Sequence, residues 1–216
     1  TKGTNNWSPW CASNILGAVL FLMDDKSRML DIVCSLMGIV DRFIANYKPD
    51  GACDEGPMYW TVAPGAMLSF LELLHSRSNG DISIYDEPLI ARMGHYISDM
   101  HIAGSKFASF ADSAPDIYGL CPEIFRYGER INDRHMMNLA LHLSKSKKQR
   151  SLCGAALSLY LRAFCWMPAE NRVQGWTKPP FAWYGDNQIL VARETLKDGI
   201  DLVLAVKGGH NAENHN

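Results

Sequence analysis

The chain has 216 residues, 47% of them hydrophobic and 20% charged, enough apolar side chain for one sizeable core or for a domain and part of a second, which excludes a disordered polymer. Its 21 basic residues nearly balance 23 acidic ones, and the one basic cluster, at 145–150, is short and interrupted by Ser and Gln, so it reads as a solvated loop and not as a nucleic-acid patch. Asp24, Asp25, Asp31 and Asp41 interrupt the longest apolar runs, so no stretch is expected to cross a membrane.

The opening residues are polar, with no signal-peptide core and no initiating Met, from which we expect a preceding segment to be missing. Ser8-Pro9 then starts a first helix, with a hydroxyl for the free amides and a Pro where its missing N–H costs nothing. Ile15, Val19, Leu22 and Met23 are expected on its buried face. The second helix carries the clearest stripe, Met29, Val33, Leu36, Val40, Phe43 and Tyr47, widened by Leu30, Met37 and Ile44, and is expected to be long and well buried.

Lys48-Pro49-Asp50-Gly51 ends that helix, because the residue before Pro leaves helical geometry and Asp-Gly favours a turn. Pro57 opens a third helix that runs to about Ser76 with Met67, Leu68, Leu71 and Leu74 inward, and Pro64 is tolerated near its start or kinks it. Residues 87–100 form a fourth helix, 101–118 an irregular packed loop, and 122–127, 132–143 and 151–164 three more helical runs. In the last of these, Leu152, Leu157, Tyr160, Leu161 and Phe164 mark the expected buried side.

The character changes after 170. Residues 171–187, rich in Pro, Trp and Gly, are expected to be a linker, and the apolar runs 189–191 and 202–206, separated by Asp198-Gly199, to be paired strands. Helices followed by strands argue for two segregated domains, a mainly α one over 1–170 and the start of a β-domain over 188–216. Successive helix pairs of comparable length are compatible with helices wound into a barrel.

Six cysteines form no C-x-x-C pair, and Cys11, Cys34, Cys153 and Cys165 fall in apolar helical patterns as small core residues. Reduced thiols lean towards a cytoplasmic over a secreted setting. His75, His95, His101, His135 and His142 read as surface or hydrogen-bonded helix residues.

Three places carry candidate chemistry. Asn5-Asn6-Trp7 precedes the first helix, the stretch from Asp50 through Glu55 to Tyr59-Trp60 joins the second and third, and Lys207-Gly208-Gly209-His210 leads to His215 near the end. If consecutive helices run antiparallel, the first and third begin at one end of the bundle, so Asn6 and Tyr59 can face one cleft. Each motif alone has a plainer reading: a helix cap for Asn5 or Asn6, an interfacial aromatic for Tyr59, a mobile tail for the glycines.

Together these residues, with Ser8-Pro9-Trp10, Gly56-Pro57 and Trp183-Tyr184 leading to Val191-Ala192-Arg193, resemble the heparinase II/III-like polysaccharide lyases over almost the whole chain. The resemblance implies an incomplete α/α barrel of antiparallel helix pairs followed by a β-sandwich, here truncated, and β-elimination at a uronic acid within an acidic polysaccharide or oligosaccharide. It implies Asn6, Tyr59 and His215 as catalytic residues. Asn6 would neutralise the uronate carboxylate, because the C5 proton is otherwise too weak an acid to remove. Tyr59 would shuttle the proton. His215, with His210 as the rival, would reach the cleft from the β-domain. Asn5, Trp7, Glu55, Trp60 and His210 would bind substrate, Trp7 standing where a relative often has His and offering a plane for a sugar face, while for Trp60 core packing is as open a reading as stacking.

No cofactor is expected. Nor is a metal, since two His five apart without a third ligand do not make a site. The chain alone is expected to be inactive without the rest of its own β-domain. Two rivals stay open: a helical-barrel glycoside hydrolase drawing on Asp54 or Glu55, which as adjacent residues point apart and need a second carboxylate elsewhere, and a non-catalytic carbohydrate-binding domain.

Overall fold

A computed structural model of the protein describes residues 5–146, 156–169, 178–196 and 201–209. In chain order the elements are α1 (Trp7–Leu22), α2 (Lys26–Ala45), α3 (Pro57–Trp60), α4 (Pro64–Arg77), α5 (Pro88–Asp99), β1 (His101–Ala103), β2 (Lys106–Phe107), α6 (Pro122–Arg130), α7 (Arg134–Ser144), α8 (Ala156–Trp166), β3 (Phe181–Tyr184), β4 (Ile189–Thr195) and β5 (Asp201–Lys207). The protein is mainly helical, with an antiparallel β3-β4-β5 sheet at the C-terminal end. Among the described residues no helix is long and apolar enough to cross a membrane.

Local chemistry explains most helix starts. Pro stands in the first turn of α3, α4, α5 and α6, where its fixed φ suits a helix and its absent N–H costs nothing. Asp25 caps α2 by accepting from Arg28 N, and Asp133 caps α7 by accepting from His135 N and Met136 N. Pro64 divides the expected third helix into α3 and α4.

The core centres on α4, which packs on α1 and α6, and whose residues 64–72 are all buried. Met67, Leu68, Leu71 and Leu74 point inward as expected. The buried Glu72 lies within hydrogen-bond range of Arg126 Nε (2.8 Å), Arg130 Nε (2.5 Å) and Tyr85 Oη (2.7 Å). Burial opposes its ionisation, but the hydrogen bonds from Arg130, Tyr85 and Arg126 outweigh that and hold its carboxyl below the usual range.

Several expected faces differ in part or whole. In α1 the buried residues are Pro9, Ala12, Ser13, Leu16 and Val19, so Val19 is buried as expected, whereas Ile15 and Leu22 are exposed. In α2 only Leu36, Val40 and Phe43 are buried, and Leu30 is exposed, so the helix covers the core with one narrow side. In α8, Leu157, Tyr160, Leu161 and Phe164 are exposed, the opposite of the expectation; Leu152 lies outside the described residues. Cys11, Cys34 and Cys165 are exposed, while Cys53 and Cys121 are buried, all with free thiols; Cys153 is outside the described residues.

The expected loop over 101–118 contains the β1–β2 hairpin, so His101 is a buried strand residue and not a helical one. The expected linker contains β3, paired with β4 over Phe181–Ala192 to Tyr184–Ile189. Ala182, Tyr184, Ile189 and Val191 belong to the same apolar cluster as the helices, so the sheet shares the helical core.

Candidate functional site

Asn6 precedes α1 with helical backbone angles and makes no side-chain bond to the free amides of the helix. Its Nδ2 donates instead to Glu55 Oε2 at 2.8 Å, across 49 positions of sequence. The plainer reading of Asn6 as a helix cap is thereby set aside.

The loop that carries Glu55 is shaped by two glycines. Gly51 has φ +83°, and a Cβ there would strike the backbone of α5 at Arg92 and Met93. Gly56 has φ 90° and ψ 176°, a region open only to glycine, and a Cβ would strike the Phe110 carbonyl oxygen. Arg92 Nε donates to Pro49 O at 2.6 Å, and Met58 N to Ser113 Oγ at 2.9 Å, which pin the loop at both ends.

Asn5, Asn6, Asn46, Lys48, Asp54 and Glu55 line a narrow polar cleft of about 60 Å³, with Tyr47 and Cys53 in its wall. That volume takes a water or a single carboxylate and excludes a sugar ring. Lys48 Nζ lies 3.4 Å from Asp54 Oδ1 and also donates to Asn187 Oδ1. Burial pushes the Cys53 thiol up to about 12 and raises the Tyr47 phenol well above its ordinary value, so neither ionises near neutrality.

The sheet is fastened to the same loop. Asp50 Oδ2 accepts from Asp186 N (2.8 Å) and Asn187 N (3.3 Å), and Asp50 N donates to Asp186 Oδ2 at 3.1 Å. At the end of β5, Gly208 N donates to Gln188 O and Gly209 N to Gln188 Oε1, both at 2.8 Å. The opening Asn pair, the Asp-Gly loop and the Gly-Gly segment therefore meet at one rim, although they are far apart in sequence.

The remaining candidates are placed unevenly. Tyr59 is half-buried, packs against the core and does not line the cleft. Trp7 is 65% exposed. Trp60 is a correction: it is fully buried, its Nε1 donates to Met93 O at 2.6 Å, and its ring lies 5.4 Å from that of Tyr127, so it offers no face to a sugar. His210 and His215 lie outside the described residues.

Lys48, Asp186 and Asn187 were missed as site residues. Lys48 was visible only as part of a helix terminator and Asp186-Asn187 only as part of a linker; Asp50 opened a candidate stretch, but its pairing with 186–187 has no signature within either segment.

No protein-family model matches the chain, and no curated protein matches it either.

Proposed function

We propose that the protein is a polysaccharide lyase of the heparinase II/III-like kind, cleaving a uronate-containing polymer by β-elimination. On this reading its helices belong to an incomplete α/α barrel, and β3–β5 open a β-sandwich. The observation that carries it is the 2.8 Å bond between Asn6 and Glu55, which unites the first two candidate motifs and fixes the amide's orientation.

One N–H of Asn6 is engaged by Glu55, and the second is a donor for a uronate carboxylate, with the Lys48 ammonium on the same wall. Neutralising that carboxylate acidifies C5. Base removal of the C5 proton then breaks the C5–H bond, the electron pair forms the C4–C5 double bond, and the C4–O bond breaks with a proton passing to the leaving oxygen. Tyr59, at the third position of α3 and outside the lining of the cleft, would be the shuttle this chemistry needs, with His215 as its partner. The exposed Trp7 plane, just outside a slot too small for a ring, is suited to the sugar face.

The carboxylate-pair alternative is less well supported, since Asp54 turns to Lys48 and Glu55 to Asn6, leaving no opposed acid and base across a shared space.

The test is turnover of a panel of uronate polymers by the full-length protein, followed by the ultraviolet absorbance of the unsaturated product. Asn6→Ala is expected to slow turnover ~10²-fold or more, and Tyr59→Phe ~10²–10⁴-fold with affinity retained. New reducing ends without that absorbance would replace elimination by hydrolysis. Polymer binding that is indifferent to Tyr59→Phe, with no turnover of any polymer, would reduce the protein to a binding domain.

A further inference from the structure

A second cavity, of about 670 Å³, lies between β1, the last turn of α7, the 178–180 segment and β4–β5. Its volume is in the range that holds a small molecule. Among its described lining residues every ionisable side chain is basic: His101, His142, Lys178 and Arg193. It stands apart from the Asn6 cleft, because Arg193 is five residues along the chain from Gln188, about 17 Å at a strand's rise of ~3.3 Å per residue.

We propose that this cavity is an oxyanion site, taking a small ligand that bears a sulfate, phosphate or carboxylate group. The proposal stands whether or not the protein is a lyase.

The four groups are held in place by the fold. His101 opens β1 with its Nε2 3.0 Å from Gly104 O, and the His142 ring is 5.8 Å away, edge to face. Lys178 Nζ donates to Ile102 O. Arg193 donates to the carbonyls of Pro179, Asp99 and His101, and its buried Nε–H has no acceptor among the described residues. Bonds to neutral carbonyls satisfy donors without cancelling charge, so the guanidinium stays positive in a half-buried setting, which is costly without a counter-ion.

The acid in electrostatic contact with Arg193 is Asp99, whose Oδ2 accepts from Tyr184 Oη at 2.7 Å and which lines the adjoining cavity of about 440 Å³. Burial raises the Asp99 carboxyl above its usual range, against the opposing hydrogen bond from Tyr184 and the charge of Arg193. Burial, then repulsion from Lys178, pushes His101 down to about 3, so at neutral pH it is an uncharged imidazole beside two fixed cations. An oxyanion between Lys178 and Arg193 would relieve that repulsion through charge-assisted hydrogen bonds.

The full-length protein is titrated by calorimetry at low ionic strength with inorganic phosphate, sulfate and glucuronate, while the His101 and His142 imidazole resonances are followed by NMR. Saturable binding of at least one anion is expected, with shifts at both imidazoles and a loss of about tenfold or more in Lys178→Gln. Preference for phosphate or sulfate would make the ligand a free or esterified mineral acid, and preference for glucuronate a sugar acid. Arg193 ties β1 to β4 and is left intact; His142→Gln carries the same test should Lys178→Gln not fold. No saturable binding of the three anions, or equal binding by Lys178→Gln or His142→Gln and wild type, would overturn the site.

Discussion

The Asn6 cleft and the Arg193 cavity lie towards the two ends of β4, along the seam where the sheet meets the helices, and they are assembled by different means. At the cleft the aim of each side chain is set by backbone: Gly51 and Gly56 bring the loop against α5 and the Phe110 carbonyl, and Asp50 stitches it to the 186–187 turn. At the cavity the placement comes from element ends, and the distinctive feature is a guanidinium held by neutral carbonyls. A backbone-built site is sensitive to a single methyl group. A charge-built site is sensitive to protonation and to salt.

That contrast can be tested by its consequences for stability. The largest effect is expected from Gly56→Ala, since its φ and ψ are open only to glycine and the added methyl meets the Phe110 oxygen. Urea denaturation should show a loss of about 3 kcal/mol; an unaltered midpoint would mean that the loop yields, and that backbone does not set the cleft. Next is Tyr184→Phe, which strips the half-buried Asp99 carboxyl of its hydroxyl donor beside the cavity, for about 2 kcal/mol by the same measurement. Asp50→Ala should cost about 1 kcal/mol, because water replaces it at the exposed Asp186 amide and the buried Asn187 amide loses only a long 3.3 Å bond.

The smallest effect belongs to the His95–Asp133 pair, 3.1 Å apart, at the edge of the cavity adjoining Arg193. The hydrogen bond to Asp133 raises His95 against the opposing effect of burial. Burial opposes Asp133 ionisation too, but the bond from His95 and the α7 amides outweigh it and lower the Asp133 pKa. A raised His stabilises fully below its unfolded pKa of about 6.5, and that contribution fades as pH rises through the folded value. A lowered Asp stabilises above its unfolded pKa of about 3.9, and that contribution fades as pH falls through the folded value. The pair therefore acts between about pH 4 and pH 6.5, and His95→Ala should cost under ~1 kcal/mol there, solvent screening the half-exposed ring. Denaturation midpoints of wild type and variant should differ near pH 5.5 and converge near pH 9; equal gaps at both would remove charge as the cause.

Some of the molecule was legible one segment at a time. Pro at helix starts, the Asp-Gly stop and the inward face of α4 are local signals, and the short β-branched runs became β4 and β5. The covered side of α1 and α8 was not legible, because apolar residues surround both helices and periodicity does not say which side meets a neighbour. Trp60 was undecided for a related reason: a Trp at the end of a polar stretch can be core or sugar platform until its indole N–H is seen on the Met93 carbonyl.

The sequence by itself determined most helix starts and the runs that became β4 and β5, since capping groups, proline and period act over a few neighbouring residues. Only the tertiary structure decided which of those surfaces are covered, that Asn6 reaches Glu55, and that four basic side chains from separate elements surround one cavity. Those are pairings across tens of residues, fixed by how the elements pack, and no residue carries a mark of a partner so distant.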